Sequence, residues 1–217
     1  DLERGCFRDV RGRRVILCGV NIGGRSKRAP FLPFELAPSF DAGDVTESAR
    51  ELFANLTRWG LDTIRLTFSW EGIEPIRGSF DAAYFAHLKA MLDVAWEHRL
   101  RVLLDFHQDI YATALGGDGM PRWSLPPEHR DAHTPDRRHW FMAYVCDPRV
   151  VASFTRFWRG EDGLLDALEG MWVEVIRRLG SHPCVIGYEI MNEPGWGALD
   201  PFDFEHNVWL PLCQRIG

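Results

Sequence analysis

Four apolar, β-branched runs recur along the chain: VILCGV (15–20), TIRLTF (63–68), RVLLDF (101–106) and VIGYEIM (185–191). Stretches of helical periodicity separate them. Two parallel strands cannot be joined by a tight turn, so strands that alternate with helices imply a parallel sheet. After the first run, Asp44-Val-Thr-Glu47 resembles a capping box, Ala49, Leu52, Phe53 and Leu56 follow at helical spacing, and Gly60 supplies a stop. A second helix opens at Asp81 and carries Phe85, Leu88, Leu92 and Ala95 on one face. Asp147-Pro148 starts a short third helix through Phe154 and Trp158. Leu164, Leu168, Met171, Trp172, Val175 and Leu179 mark a fourth that stops at Gly180, and a last one is expected around Phe204 to Ile216. Upstream, residues 6–17 have the pattern of a hairpin turning at Arg11-Gly12. No repeat, low-complexity tract or linker divides residues 1–217, so one α/β domain is expected.

Several function classes drop out at this point. A net charge of −6 without any basic run gives no footprint for nucleic acid. Nothing approaches the ~20 consecutive apolar residues of a membrane span. The glycine-rich exit of GVNIGG fits neither GxxxxGK nor GxGxxG, so no nucleotide cofactor is expected. His129, His133 and His139 lack a carboxylate or cysteine to complete a ligand set, and no metal is expected there. Five cysteines (Cys6, Cys18, Cys146, Cys184, Cys213) are scattered without a CxxC pair. They favour a reducing, cytoplasmic compartment, with secretion as the alternative if a leader has been removed.

The chemistry collects where strands end. Pro194 cannot donate to a ladder and limits the last strand, leaving Asn192 and Glu193 as its final side chains. A carboxyl at that position, beside an amide that can bond a hydroxyl, suits a general acid for glycoside cleavage. The alternative is a carboxylate that caps the next loop. Arg65 lies inside a buried strand and needs a partner, either a structural one or a catalytic carboxylate that it positions. The third strand ends in His107-Gln108-Asp109. Residues 110–160 then form a long irregular insertion rich in glycine and aromatics, the composition of a binding element more than of a disordered one.

With GVN in the first strand, DTIRLTFSW, DFHQD and GYEIMNEP in this order, the chain resembles glycoside hydrolase family 5, a family of (β/α)8 retaining glycosidases. DFHQDIYA followed by GGDGMPRW is most similar to its endoglycoceramidase and glucocerebrosidase-like branch, which acts on glucosyl or galactosyl bonds of glycolipids. The resemblance implies a TIM barrel, of which this chain supplies about the first four βα units plus the hairpin. Residues 1–217 are then the N-terminal half of a single catalytic domain. It also implies roles: Glu193 the acid/base, Asn192 the holder of the sugar 2-hydroxyl, and His107 and Arg65 the support of the catalytic carboxylates. Lys27 and Asp109 match groups that bind sugar hydroxyls. Trp123 and Trp140 are candidates for a sugar-stacking or lipid-facing wall, packing within the loop being the alternative.

The family's nucleophile is a glutamate at the seventh strand, and only four strands are visible here. Retaining chemistry needs two carboxyls ~5–5.5 Å apart. Glu189 lies four residues before Glu193, roughly 13 Å along an extended strand at ~3.3 Å per residue, and suits an interior partner for an arginine. Glu205 falls beyond the strand. The expected function is a retaining β-glycosidase for glycolipids such as glucosylceramide, with its nucleophile outside this chain. The implied partner is a complementary C-terminal half-barrel, on a second chain or a continuation of this one. An endo-β-glucanase or soluble β-glucosidase is the alternative within enzymes; a non-catalytic half-barrel that binds carbohydrate or serves assembly is the alternative outside them. Four parallel strands also leave two edges, and their inward faces are expected to expose a large apolar surface.

Overall fold

Period-two alternation decides the architecture. In β4 (Thr63–Phe68) and β5 (Arg101–Phe106), the alternate residues Ile64, Leu66, Phe68, Val102, Leu104 and Phe106 are at most 1% exposed. They form the face covered by helices. The computed structural model describes residues 5–134 and 139–217, so four residues of the long insertion lie outside the description. Within it, β3 (Gly19–Ile22), β4, β5 and β6 (Val185–Glu189) make one parallel sheet in that order. The hairpin is present as a separate pair, β1 (Phe7–Arg8) and β2 (Arg14–Val15), with Phe7 opposite Val15.

Three long helices cover the apolar face: α1 (Ala42–Arg58), α3 (Ala82–Glu97) and α6 (Leu164–Leu179). Phe53 of α1, Leu88 and Met91 of α3 and Met171 of α6 are fully buried. Phe68 stacks on Phe106 at 6.0 Å and meets Trp172 of α6 edge-on at 5.5 Å, tying two strands to one helix. Helix α1 begins earlier than its sequence pattern suggests. Asp41 is the N-cap: its carboxylate accepts from Gly43 N (2.7 Å) and Asp44 N (3.1 Å), while Asp44 accepts from Asp41 N (2.9 Å). Asp44 thus closes the box from its third position and does not open it. Helix α3 starts at Asp81, as expected.

The insertion is more ordered than its composition suggests. After a single turn, α2 (Trp70–Ile73), which follows β4, and beyond β5, the chain runs through 3-10 turns to α4 (Ala143–Cys146) and α5 (Pro148–Trp158). Ile110, Tyr111, Leu115, Met120 and Leu125 are at most 1% exposed, and Tyr111 meets Phe154 of α5 edge-on at 5.1 Å. This stretch therefore builds a second layer of core. The C-terminal helix is α7 (Pro201–Phe204) and α8 (Leu210–Ile216), joined through a π turn at Glu205–Trp209. Pro211 has no N–H for an α bond and would crowd the carbonyl one turn back, and the widened turn relieves both.

The opposite face of the sheet corrects an expectation. It is not a large apolar surface: Arg65, Thr67, Asp105 and Glu189 alternate there, with Leu103 partly buried among them. The partly exposed apolar strand residues, Val20 and Tyr188, sit on the two edge strands. All five cysteines are free, and no helix among the described residues is long and apolar enough to cross a membrane.

Candidate active site

Arg65 is the hub of the polar face. Its Nε donates to Glu189 Oε2 (2.6 Å) and its Nη2 to Glu189 Oε1 (2.7 Å), a two-pronged pairing that suits a planar guanidinium. Nη2 also donates to Asn192 Oδ1 (2.9 Å) and lies 3.1 Å from Asp105 Oδ2. Glu189 raises the pKa of Arg65 through these bonds against the effect of burial, and Asp105 and Glu193 add to the rise. The Asn192 amide is fixed from both ends, because its Nδ2 donates to the Gln108 carbonyl at 3.0 Å. One N–H of that amide stays available. Strand β6 ends at Glu189, not at Met191 as the apolar run suggests. Trp172 Nε1 takes the Ile190 carbonyl at 3.2 Å, and Asn192 N returns to the Phe106 carbonyl at 2.9 Å.

Glu193 therefore sits in a bend past the strand, in the left-handed region at φ 42°. A non-glycine residue there costs about 1–3 kcal/mol and persists only where its surroundings hold it. Gln108 does so: its Nε2 donates to the carbonyls of Asn192 (2.8 Å) and Glu193 (2.7 Å). Trp158 Nε1 takes the Gly195 carbonyl at 2.5 Å, and Ala198 N donates to Thr155 Oγ1 at 2.8 Å. The Glu193 carboxylate itself is exposed and makes no hydrogen bond or ion pair with the described residues. Sequence reasoning passed over Gln108; the available signal was a glutamine between two site residues in His107-Gln108-Asp109.

Asp109 belongs to a second group. Ile110 and Tyr111, which follow it, both have positive φ (53° and 73°), held by Ile110 N on Tyr144 Oη (3.0 Å) and Tyr111 N on Gln108 Oε1 (3.0 Å). Lys27, in the 3-10 turn Arg25–Lys27 after β3, pairs with Asp109. His107 bridges inward, with Nδ1 2.8 Å from Asp105 Oδ2 and Nε2 3.5 Å from Asp109 Oδ2. Burial opposes its charging, but the two aspartates outweigh that and raise its pKa to about 9. Burial likewise works against ionised Asp109, yet His107 and Lys27 hold its carboxyl below the usual range.

Lys27, Asp109, Asp118 and Trp140 line a cleft of about 350 Å³, within the ~300–1,000 Å³ of small-molecule sites. Trp123 does not line it. Its indole packs edge-on against Trp70 at 5.4 Å, donates to the Glu74 carbonyl at 2.8 Å, and carries the Arg77 guanidinium over its ring at 5.4 Å. Packing within the loop is thus what the structure gives Trp123. His107, Asp109 and Asp118 each offer a donor atom within 4.8 Å of the others, but the Lys27 ammonium already serves Asp109 as its cation.

Asp118 was not singled out by its sequence. It is 4% exposed, and burial, followed by the charge of Asp109, pushes its pKa up to about 7 despite Lys27, His107 and Arg28 nearby. A carboxyl whose folded-state pKa exceeds its ordinary 3.8 binds its proton more tightly in the folded protein. The contribution of this one group to stability is then full below pH 3.8 and is lost as pH rises through about 7. Asp118→Asn is expected to raise the Tm of the full-length protein at pH 8, with the gain shrinking towards zero at pH 4. Melting curves at the two pH values check this; an equal shift at both would contradict it.

The fold and these residues can be set beside known proteins. The model of the Cellulase family (glycosyl hydrolase family 5) matches residues 29–216. Endoglycoceramidase I of Rhodococcus hoagii (strain 103S) is 33% identical over 190 residues, which are 88% of this chain and 36% of that protein. A glucosylceramidase of Aspergillus fumigatus is 27% identical over 241 residues, covering 89% of this chain and 32% of that protein. Endo-glycoceramidase II from Rhodococcus sp., solved as its lactosyl–enzyme intermediate, superposes with a TM-score of 0.77 at 27% identity. The match covers 96% of this chain and 47% of that one. The chain thus spans about a third of the curated relatives and about half of the solved one. Its sheet corresponds to the first four βα units of a (β/α)8 barrel, with the hairpin preceding them. From the family match and the fold, the chain belongs to glycosyl hydrolase family 5.

Proposed function

We propose that this chain carries the acid/base half of the active site of a retaining β-glycosidase that acts on glycolipids such as glucosylceramide. The observation that supports this best is the Glu193 carboxylate at the exit of β6, without a partner among the described residues, beside an Asn192 amide oriented by Arg65 and Gln108. Glu193 would give its proton to the glycosidic oxygen as the leaving group departs, then take one from the water that releases the sugar. The remaining N–H of Asn192 would serve the 2-hydroxyl. Lys27 and Asp109 would bind further hydroxyls, with Trp140 as an aromatic wall, and Arg65 and His107 would keep the carboxylates in place.

The nucleophile is assigned to residues outside 1–217. Both oxygens of Glu189 accept from Arg65, which supports a positioning role for it over that of the attacking group. A complementary C-terminal half-barrel, on a continuation or a second chain, would cover the polar face and bring the second carboxylate opposite Glu193. The covalent sugar in the solved Rhodococcus relative accords with retaining chemistry.

The family model's own description favours one second reading, an endo-β-glucanase or β-glucosidase. A panel of glucosylceramide, a cello-oligosaccharide and an aryl β-glucoside, offered to the full-length protein, separates the two. The expected result is the highest kcat/KM on the glycolipid. Preference for the cello-oligosaccharide would install the second reading, and binding without turnover on any of the three would favour a non-catalytic carbohydrate-binding role.

A further inference from the structure

We propose that Asp118 is a substrate ligand whose carboxyl group takes a sugar hydroxyl in the cleft between Lys27, Asp109 and Trp140. The proposal rests on the glycosidase reading above and extends it to a residue which that reading does not use. Asp118 is 4% exposed, yet its carboxyl makes no hydrogen bond or ion pair with any described residue. Its buried neighbours each have a cation on one oxygen: Asp105 Oδ2 lies against Arg65 and His107, although its Oδ1 has no partner among the described residues, and Asp109 Oδ2 lies against Lys27 and His107. Buried polar groups are nearly always bonded, so one left open on a cleft marks a place for a ligand group. His107 Nε2, also buried, has only the 3.5 Å ion-pair contact with Asp109 and no hydrogen bond of ordinary geometry among the described residues.

The position of Asp118 is built by the backbone around it. Asp109 and Asp118 form an isolated antiparallel bridge, with Asp118 N on the Asp109 carbonyl at 2.7 Å and the reverse bond at 3.3 Å. Only glycine permits so close an approach: a Cβ at Gly117 would overlap the Asp109 carbonyl oxygen, and one at Gly119 the His107 carbonyl oxygen. These glycines press the turn onto the exit of β5 and carry Asp118 to the side of Asp109. One oxygen of each carboxyl lies within 4.8 Å of the other, a span that two adjacent hydroxyls of one sugar can bridge. A hydroxyl both donates and accepts, so it can pair with this carboxyl whether or not the acid is protonated.

The test uses the full-length protein, as wild type, Asp118→Ala and the shape-conserving Asp118→Asn, on aryl β-glucosides with each hydroxyl singly replaced by hydrogen. Asp118→Ala should lower kcat/KM on the parent glucoside by about 10–100-fold, the effect of a lost bond to a charged or buried group. On one deoxy sugar the variant and wild type should converge to within about twofold, while the gap persists on the others. That convergence also shows the variant to be folded; if Asp118→Ala melts early, Asp118→Asn serves for the same comparison. Unchanged kinetics, or the same gap on every deoxy sugar, overturns the proposal and leaves the glycosidase reading standing. A wild type that hydrolyses none of the glucosides overturns that reading, and the proposal with it.

Discussion

Glu193→Gln is expected to lower kcat of the full-length protein on a natural β-glycoside by about 10²–10⁴-fold, the usual contribution of a general acid. The substitution keeps the shape and leaves the backbone bonds from Gln108 and Trp158 in place, so the bend at φ 42° should survive. On the proposed role, what it removes is the proton for the leaving oxygen. The loss should therefore depend on the aglycone: large for an alkyl or ceramide leaving group, small for an activated phenol that departs unaided. With such a phenol the second step becomes limiting, because no carboxylate activates the water. Added azide should then restore turnover in Glu193→Ala by attacking the sugar directly, giving a β-glycosyl azide if configuration is retained. Steady-state kinetics with and without azide, and the configuration of the azide product, decide the matter. Normal turnover of Glu193→Gln on a natural glycoside would remove the residue from the chemistry.

Arg65→Leu is expected to be the most damaging single change to stability, about 3–5 kcal/mol, the cost of removing one partner from a buried charge group. Arg65 serves three acceptors at once, Glu189, Asn192 and Asp105, and Asp105 is completely buried. Without the guanidinium, Asp105 has only His107 as a cation. Below pH 6.5 a raised imidazole pKa contributes its full stabilisation, and this is lost as pH rises through about 9. The defect of Arg65→Leu should therefore deepen above pH 9, where the imidazolium gives up its proton. Arg65→Lys restores the charge but not the two-pronged pairing, and should recover only part of the loss. Urea denaturation of the three proteins at pH 7 and pH 9.5 would measure each term. A loss below about 1 kcal/mol for Arg65→Leu at both pH values would show that the polar face is not held by this residue.

Much of the fold was legible along the chain because its signals are local. Ile64, Leu66 and Phe68 alternate, and Leu164, Leu168, Met171, Val175 and Leu179 repeat at helical spacing, whatever the rest of the molecule does. Parallel strands also bring their carboxyl ends to one rim. Arg65, His107, Asp109, Asn192 and Glu193 could thus be grouped from sequence before any distance was known. Helix starts shifted by a turn at Asp41 because two aspartates three residues apart can each fill the cap. Only tertiary structure decided the pairings across long separations. Lys27 meets Asp109 and Arg65 meets Glu189 because the register of β3 to β6 and the path of each exit loop place them so. Trp140 reaches the cleft while Trp123 packs against Trp70, a choice that the same residue type cannot encode by itself. The inward face is polar because the alternate strand positions that turn towards it carry Arg65, Thr67, Asp105 and Glu189, while the apolar positions between them turn to the helices. Gln108 and Asp118 owe their places to neighbours far along the chain or across a glycine turn. What a buried amide or carboxyl does depends on which groups the fold sets against it, and those groups are not its neighbours in sequence.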